Sequence, residues 1–139
     1  MRFEDLKIGQ ALPELDIPIT VALVAGGALA TRDYFPGHHD LEAARALGSP
    51  HVFMNILTTN GLVQRFVEQW AGSGTVFKAV KIKLGAPNYP GDTMRLSGEV
   101  SALDAAAGLA QLTIKGSNSM GNHVTGSVSL MLPSTASKG

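Results

Sequence analysis

The sequence predicts an α+β domain in which an antiparallel sheet curls around one long helix. Met54 to Ala71 keeps apolar residues at helical spacing and is stopped by Gly72 and Gly74. Everything after Gly74 alternates apolar with polar at period two. The breaks in that alternation are rich in Gly, Asn and Asp, as turns between neighbouring strands are.

Phe3 to Pro13 reads as an opening segment punctuated by Gly9 and Pro13. Ile17 to Leu23 is expected to form a short edge strand, because Pro18 cannot donate to a ladder. Val24 to Arg32 is small and alanine-rich. It is expected as a short helix whose Gly26 and Gly27 allow close backbone approach. Asp40 is placed to cap a helical turn, Leu41 to Leu47, which Gly48 and Pro50 end.

In the long helix, Ile56, Val63, Phe66, Val67 and Trp70 form an apolar stripe opposite Gln64, Arg65, Glu68 and Gln69. Leu57 and Leu62 widen the apolar surface, so most of the circumference is expected to be covered. Gly61 inside this helix costs about 1 kcal/mol against Ala, which points to close packing or a space kept open. Val80, Ile82 and Leu84 then begin the alternation, followed by the long turn Ala86 to Asp92. Met94, Leu96, Gly98 and Val100 share one face of the next strand. Leu112 and Ile114 share one face of the third, and Val124, Val128, Leu130 and Leu132 finish the pattern. Four long strands in sequence suggest a meander. Ser134 to Gly139 is expected to be a frayed polar tail, and residues 1–139 to form one domain.

Composition narrows the function. Hydrophobic residues make up 45% of the 139 and charged residues 16%, with eleven basic against eleven acidic. Zero net charge argues against a nucleic-acid binder or a membrane-surface protein. So little charge on a small domain also suggests apolar surface buried against another subunit. With no cysteine, disulfide and thiol chemistry are excluded. The first residues lack a signal-peptide apolar core, and no apolar run reaches the roughly 18 residues of a membrane span. A cytoplasmic protein is the expectation.

Chemistry concentrates in Thr31 to Asp40, Thr-Arg-Asp-Tyr-Phe-Pro-Gly-His-His-Asp. Pro36 fixes its own φ and Gly37 permits a reversal, so Asp33 and His38 can meet across the bend. A carboxylate held against an imidazole is equipment for moving protons near neutral pH. Two other readings stay open: an exposed polar turn, and a metal site. The second is weakened because adjacent histidines rarely face one ion and no His stands at i+4, so no metal is expected.

A long helix wrapped by an antiparallel sheet is the hot-dog fold, whose open edge strands would be hidden by pairing two copies. The chain also resembles the MaoC-like (R)-specific enoyl-CoA hydratases of that superfamily. Their D-x-N-P-x-H segment is matched by Asp33-Tyr34-Phe35-Pro36-Gly37-His38 at the Asp, Pro and His, with Phe35 where the family has Asn. Gly48-x-Pro50 and Pro90-Gly91-Asp92 are similar to family positions too. The run from Asp33 to Asp40, together with Phe53-Met54-Asn55, most resembles the small MaoC-like subunits of steroid side-chain degradation.

The resemblance implies reversible syn addition of water to a trans-2-enoyl-CoA, on a bulky or steroid-derived acyl group. Asp33 and His38 would hold the water, with Asp33 as base at C3 and His38 as either acid or orienting partner. The Met54 backbone N–H would serve the thioester oxyanion, and Phe35, Gly37, Phe53 and Asn55 would meet substrate. The coenzyme A of the substrate is the only cofactor implied, and the partner is a second copy or a related MaoC-like subunit. His39 is expected behind the site or on the surface, His51 in a structural role rather than lining the entrance, and His123 on the surface. Lys81, Lys83 and Arg95 are candidates for the coenzyme A phosphates. Two alternatives compete. One is a non-catalytic hot-dog subunit completing a partner's site. The other is a hot-dog thioesterase, for which only Glu68 lies on the long helix.

Overall fold

In the computed structural model, which describes residues 1–134, one antiparallel sheet of five strands carries three helices. The strands are β1 (Leu15–Pro18), β2 (Val76–Leu84), β3 (Thr93–Asp104), β4 (Leu109–Asn118) and β5 (Gly121–Met131). The helices are α1 (Val21–Ala30), α2 (Leu41–Ala46) and α3 (Ile56–Ala71). The predicted tail, Ser134 to Gly139, lies outside the described residues from position 135 onward.

The strand order is β1-β3-β4-β5-β2. The expected four-strand meander therefore holds only for β3, β4 and β5, which are joined by tight turns. β2 does not pair with β3. The long turn from Ala86 to Asp92 carries the chain across, and β2 closes the far side against β5 from Val76↔Met131 to Leu84↔Val124. Both edges are open. β1 is short and holds Pro18, whereas β2 is nine residues long with no fully buried side chain.

The alternation sorts the sheet as expected. Met94, Leu96, Val100, Leu112, Ile114, Val128 and Leu130 are each at most 1% exposed, and α3 lays Leu62, Val63, Phe66 and Val67 into the same core. α3 starts two residues later than predicted because Asn55 caps it, its side chain accepting the Thr58 N–H at 2.9 Å. Such a cap is worth about 1 kcal/mol. The predicted stripe is shifted as well: Ile56 and Leu57 are each 49% exposed, and the buried first turn presents Thr58 and Thr59 instead. Gly61 is exposed with open space around it, so it does not mark close packing within this chain.

The largest departure is near the start. The predicted strand from Ile17 to Leu23 is cut short because Thr20 caps a helix, accepting the Leu23 N–H at 3.0 Å. α1 thus takes Val21 to Leu23 from the strand. It packs Val24 and Ala28 inward and crosses α3 closely at Gly27, where an added Cβ would overlap the Thr58 hydroxyl. Gly27 and Ala28 are packing residues; they do not open room for a ligand. Among the described residues, no helix is long and apolar enough to cross a membrane.

Candidate active site

The end of α1 delivers Asp33. The Asp33 N–H donates to the Ala28 carbonyl at 2.8 Å and the Arg32 N–H to the Leu29 carbonyl at 3.1 Å. This is the Schellman closure of a helix. It puts Arg32 at φ +56°, a left-handed position that costs a non-glycine residue about 1–2 kcal/mol. The chain leaves the helix at a sharp angle as a result. The Asp33 carboxylate then turns back on its own backbone, Oδ1 accepting the Phe35 N–H at 3.2 Å.

Pro36 opens a single 3-10 turn, Pro36–His38, that swings His38 back beneath Asp33. Gly37 is required inside it: a Cβ there would stand 2.9 Å from the rings of both Phe35 and Phe53. Those rings meet His38 edge-on, with centroids 5.5 and 4.9 Å away. His38 is 6% exposed and its ring is fixed through Nδ1. Nδ1 lies 2.6 Å from the Phe53 carbonyl oxygen, an acceptor, so Nδ1 carries the hydrogen. Nε2 then bears the lone pair in the neutral ring and faces Asp33 Oδ2 at 3.3 Å.

Two acceptors, a bare imidazole nitrogen and a carboxylate oxygen, thus converge on one point. A water there can donate one hydrogen to each and keep an oxygen lone pair outward. The Asp33 carboxylate is held below its ordinary pKa, first by the Asn55 amide, then by the Phe35 N–H, with His38 and His39 adding to this against partial burial. His39 Nε2 donates to the Asp33 carbonyl at 2.8 Å, so it sits behind the site as expected.

Asp33, His38, Phe53, Met54, Asn55 and Ile56 line one cleft of about 300 Å³. The predicted residues Gly37 and Phe35 lie outside it: Gly37 is buried under the rings, and Phe35 stands half exposed at the rim. The Met54 N–H, expected to serve the thioester oxyanion, is instead donated to the Asn88 carbonyl at 3.2 Å. At the positive end of α3 the amides of Asn55, Ile56 and Leu57 have no acceptor among the described residues. His51 uses Nδ1 to accept the Val52 N–H and has a structural role. Arg95 is committed to Asp16 at 2.9 and 3.2 Å, and so is not available for phosphates.

His123 overturns its predicted surface position. It is 2% exposed and lines the cleft. Val124 pairs with Gly116 while Asn122 pairs with Ser117, which leaves His123 as the extra residue of a β-bulge. The bulge turns its side chain inward, a move that period-two alternation cannot announce. Burial pushes its pKa down, partly opposed by the Ala86 carbonyl.

A second groove of about 450 Å³ shares Ile56 with the cleft and lies between Leu57 and Asn60 of α3 and Val80, Lys81 and Ile82 of β2.

Residues 5–117, a span that contains Asp33 and His38, match the family model of the MaoC like domain. The chain belongs to that family. This MaoC-like chain is 43% identical over 125 residues to the 3-oxo-4,17-pregnadiene-20-carboxyl-CoA hydratase beta subunit of Mycobacterium tuberculosis, spanning 90% of itself and 95% of that protein. The ChsH1–ChsH2 complex from the same organism contains a chain similar at TM-score 0.88 and 43% identity, covering 91% of this chain and 98% of that one. The (R)-hydratase of A. caviae involved in PHA biosynthesis matches at TM-score 0.86 and 25% identity, covering 94% and 99%. With such neighbours the fold is the hot-dog fold, and the chain is a MaoC-like protein of the hydratase and dehydratase type.

Proposed function

We propose that this chain hydrates a trans-2-enoyl-CoA to the 3-hydroxyacyl-CoA, reversibly, with Asp33 and His38 as its catalytic residues. The observation that carries the reading is the 3.3 Å approach of His38 Nε2 to Asp33 Oδ2 with Nδ1 tied to the Phe53 carbonyl. Water bound between them attacks C3. One of its hydrogens passes to Asp33 Oδ2, and the resulting carboxyl returns a proton to C2 on the same face. The hydroxyl goes to C3 and the hydrogen to C2, so the addition is balanced and syn. His38, with no hydrogen on Nε2, orients the water through its other hydrogen; this favours the orienting role over the acid.

Charge that develops on the thioester oxygen needs donors aimed at it. The free Asn55 and Ile56 amides at the start of α3 are the candidates, in place of Met54. No cofactor beyond the substrate's own coenzyme A enters this scheme.

The acyl group is bulky and apolar in this reading. It would leave the 300 Å³ cleft past Ile56 and lie in the adjoining 450 Å³ groove. The similar M. tuberculosis protein is by name a hydratase of a pregnadiene carboxyl-CoA, which supports the same choice. A related MaoC-like subunit would roof the groove by covering β2, whose Phe77, Val80, Ile82 and Leu84 are only half buried. That the similar chain comes from a two-protein complex favours such a hetero-assembly.

A thioesterase is disfavoured, because Glu68 lies exposed on α3 and does not line the cleft. The deciding assay follows loss of the enoyl chromophore and release of free thiol on one enoyl-CoA, with the chain alone and co-expressed with a MaoC-like partner. Hydration without thiol release is expected. Thiol release, or full hydration by a partner whose companion carries Asp33→Asn, would overturn the reading.

A further inference from the structure

The Asn55 side chain uses all of its hydrogen-bonding capacity inside the chain. Its Oδ1 accepts twice from Thr58, from the backbone N–H at 2.9 Å and from the hydroxyl at 2.6 Å. Its Nδ2 donates twice, to Asp33 Oδ2 at 3.1 Å and to Thr31 Oγ1 at 3.1 Å. Thr31 can accept because its own hydrogen goes to the carbonyls at the end of α1, Gly27 at 2.9 Å or Ala28 at 3.1 Å. The amide orientation is forced. Turned over, it would set a donor against the Thr58 N–H and an acceptor against a carboxylate. Asn55 is 4% exposed, and no group on its side chain remains for a ligand. This displaces the expectation that its side chain binds substrate.

We propose that Asn55 is the positioning residue of the site, its side-chain amide fixing where Asp33 Oδ2 points while the other end of the same amide caps α3. The proposal rests on the hydratase reading for its catalytic consequence, but not for the contact itself. Phe35 stands two residues after Asp33 and offers the carboxylate only a backbone N–H, to Oδ1. Oδ2, the oxygen that faces the bare Nε2 of His38, has one protein donor among the described residues, and it comes from across the fold. One side chain therefore joins the end of α1, the carboxylate and the start of α3. The same contact is the foremost cause that holds the carboxyl below its ordinary pKa.

The two functions of Asn55 can be separated by substitution. In Asn55→Ser the hydroxyl still accepts from the first turn, as serine caps do, while the donor to Asp33 is gone. Asn55→Asp also keeps the cap and sets a second carboxylate beside the first. The test reads Asp33 directly, by ¹³C NMR titration of its carboxyl carbon, beside melting temperature and steady-state kinetics. Both variants are expected to stay folded, to titrate Asp33 at higher pH and to melt below wild type at neutral pH, the Asp variant further on both counts. Loss of aim should lower kcat by about tenfold or more, with KM within about twofold of wild type because no substrate contact is removed. An Asp33 titration unmoved in both variants overturns the proposal. So does a rise in KM at unchanged kcat, which would make Asn55 a substrate contact. Absence of hydration in the wild-type assembly would instead strike the functional reading and leave the titration result to stand.

Discussion

The Thr59 hydroxyl lies 2.8 Å from His123 Nε2, while His123 Nδ1 lies 2.7 Å from the Ala86 carbonyl oxygen. The carbonyl can only accept, so Nδ1 bears the hydrogen and Nε2 accepts from Thr59. A neutral ring of fixed tautomer thus ties the first turn of α3 to the loop after β2. Its pKa is lowered from about 6.5. Below that value the unfolded chain takes up a proton that the native ring resists, so stability falls as pH drops from about 6.5 through the folded value. Thermal melts from pH 8 to 5 are expected to show this loss in wild type and less of it in His123→Leu. At pH 8 the variant should be weaker by about 1–3 kcal/mol, since the Ala86 carbonyl loses its imidazole donor and the Thr59 hydroxyl keeps only the Asn55 carbonyl at 3.4 Å. Equal slopes for the two proteins would refute the assignment.

Removing either half of the water site should abolish most turnover. Asp33→Asn and His38→Ala are each expected to lower the hydration rate by at least about a hundredfold, the lower end of general acid–base effects. His39→Gln should remain near wild type, because a glutamine amide can still donate to the Asp33 carbonyl that His39 now holds. Steady-state rates on one enoyl-CoA decide this. A severe His39→Gln loss with an active His38→Ala would move the site by one residue.

Gly27 is where α1 meets the network around Asp33. In the middle of a helix Gly→Ala ordinarily stabilises, yet here the new Cβ would overlap the Thr58 hydroxyl, which itself donates to Asn55. Gly27→Ala is expected to destabilise by about 1–3 kcal/mol and to lower activity through the displaced Asn55. Gly61→Ala in α3 meets open space and should raise the stability of the isolated chain by up to about 1 kcal/mol. Denaturant midpoints for the two variants should move in opposite directions.

Period and spacing made the core strands, the long helix and the Asp33–His38 turn legible, because each is a local pattern: alternating residues, a stripe, a Pro-Gly bend. What stayed hidden depends on long-range partners. Nothing in Val76 to Leu84 says that β2 crosses to β5 rather than pairing with β3. His123 could not be seen turning inward, because the bulge exists only in the register with Ser117 and Gly116. Thr20 was legible in principle as a cap before Val-Ala-Leu, but β-rich Ile17 and Ile19 outweighed it. The Met54 amide read as the oxyanion donor because its acceptor, the Asn88 carbonyl, lies 34 residues away. Asn55 was picked out by position, but its role follows from an approach by Asp33 that no spacing encodes.

Substrate size should be set where the cleft opens past Ile56. The groove beyond is walled by Leu57 and Ile82, which are apolar, and Leu57 is 49% exposed in the single chain, so a larger side chain there need not disturb the core. A short crotonyl group fits inside the 300 Å³ cleft and does not need the groove; a polycyclic acyl group does. Wild type, assembled with its partner, is expected to give a higher kcat/KM for a steroid side-chain enoyl-CoA than for crotonyl-CoA. Leu57→Trp should lower kcat/KM for the bulky thioester by about tenfold or more, the scale on which a crowded apolar pocket discriminates, and leave crotonyl-CoA nearly untouched. Preference of the wild type for crotonyl-CoA would remove the bulky-substrate reading while the hydratase chemistry stood. A Leu57→Trp loss equal for both substrates would place the damage at the amides of Asn55 and Ile56, two and one residues away, that are proposed to hold the oxyanion.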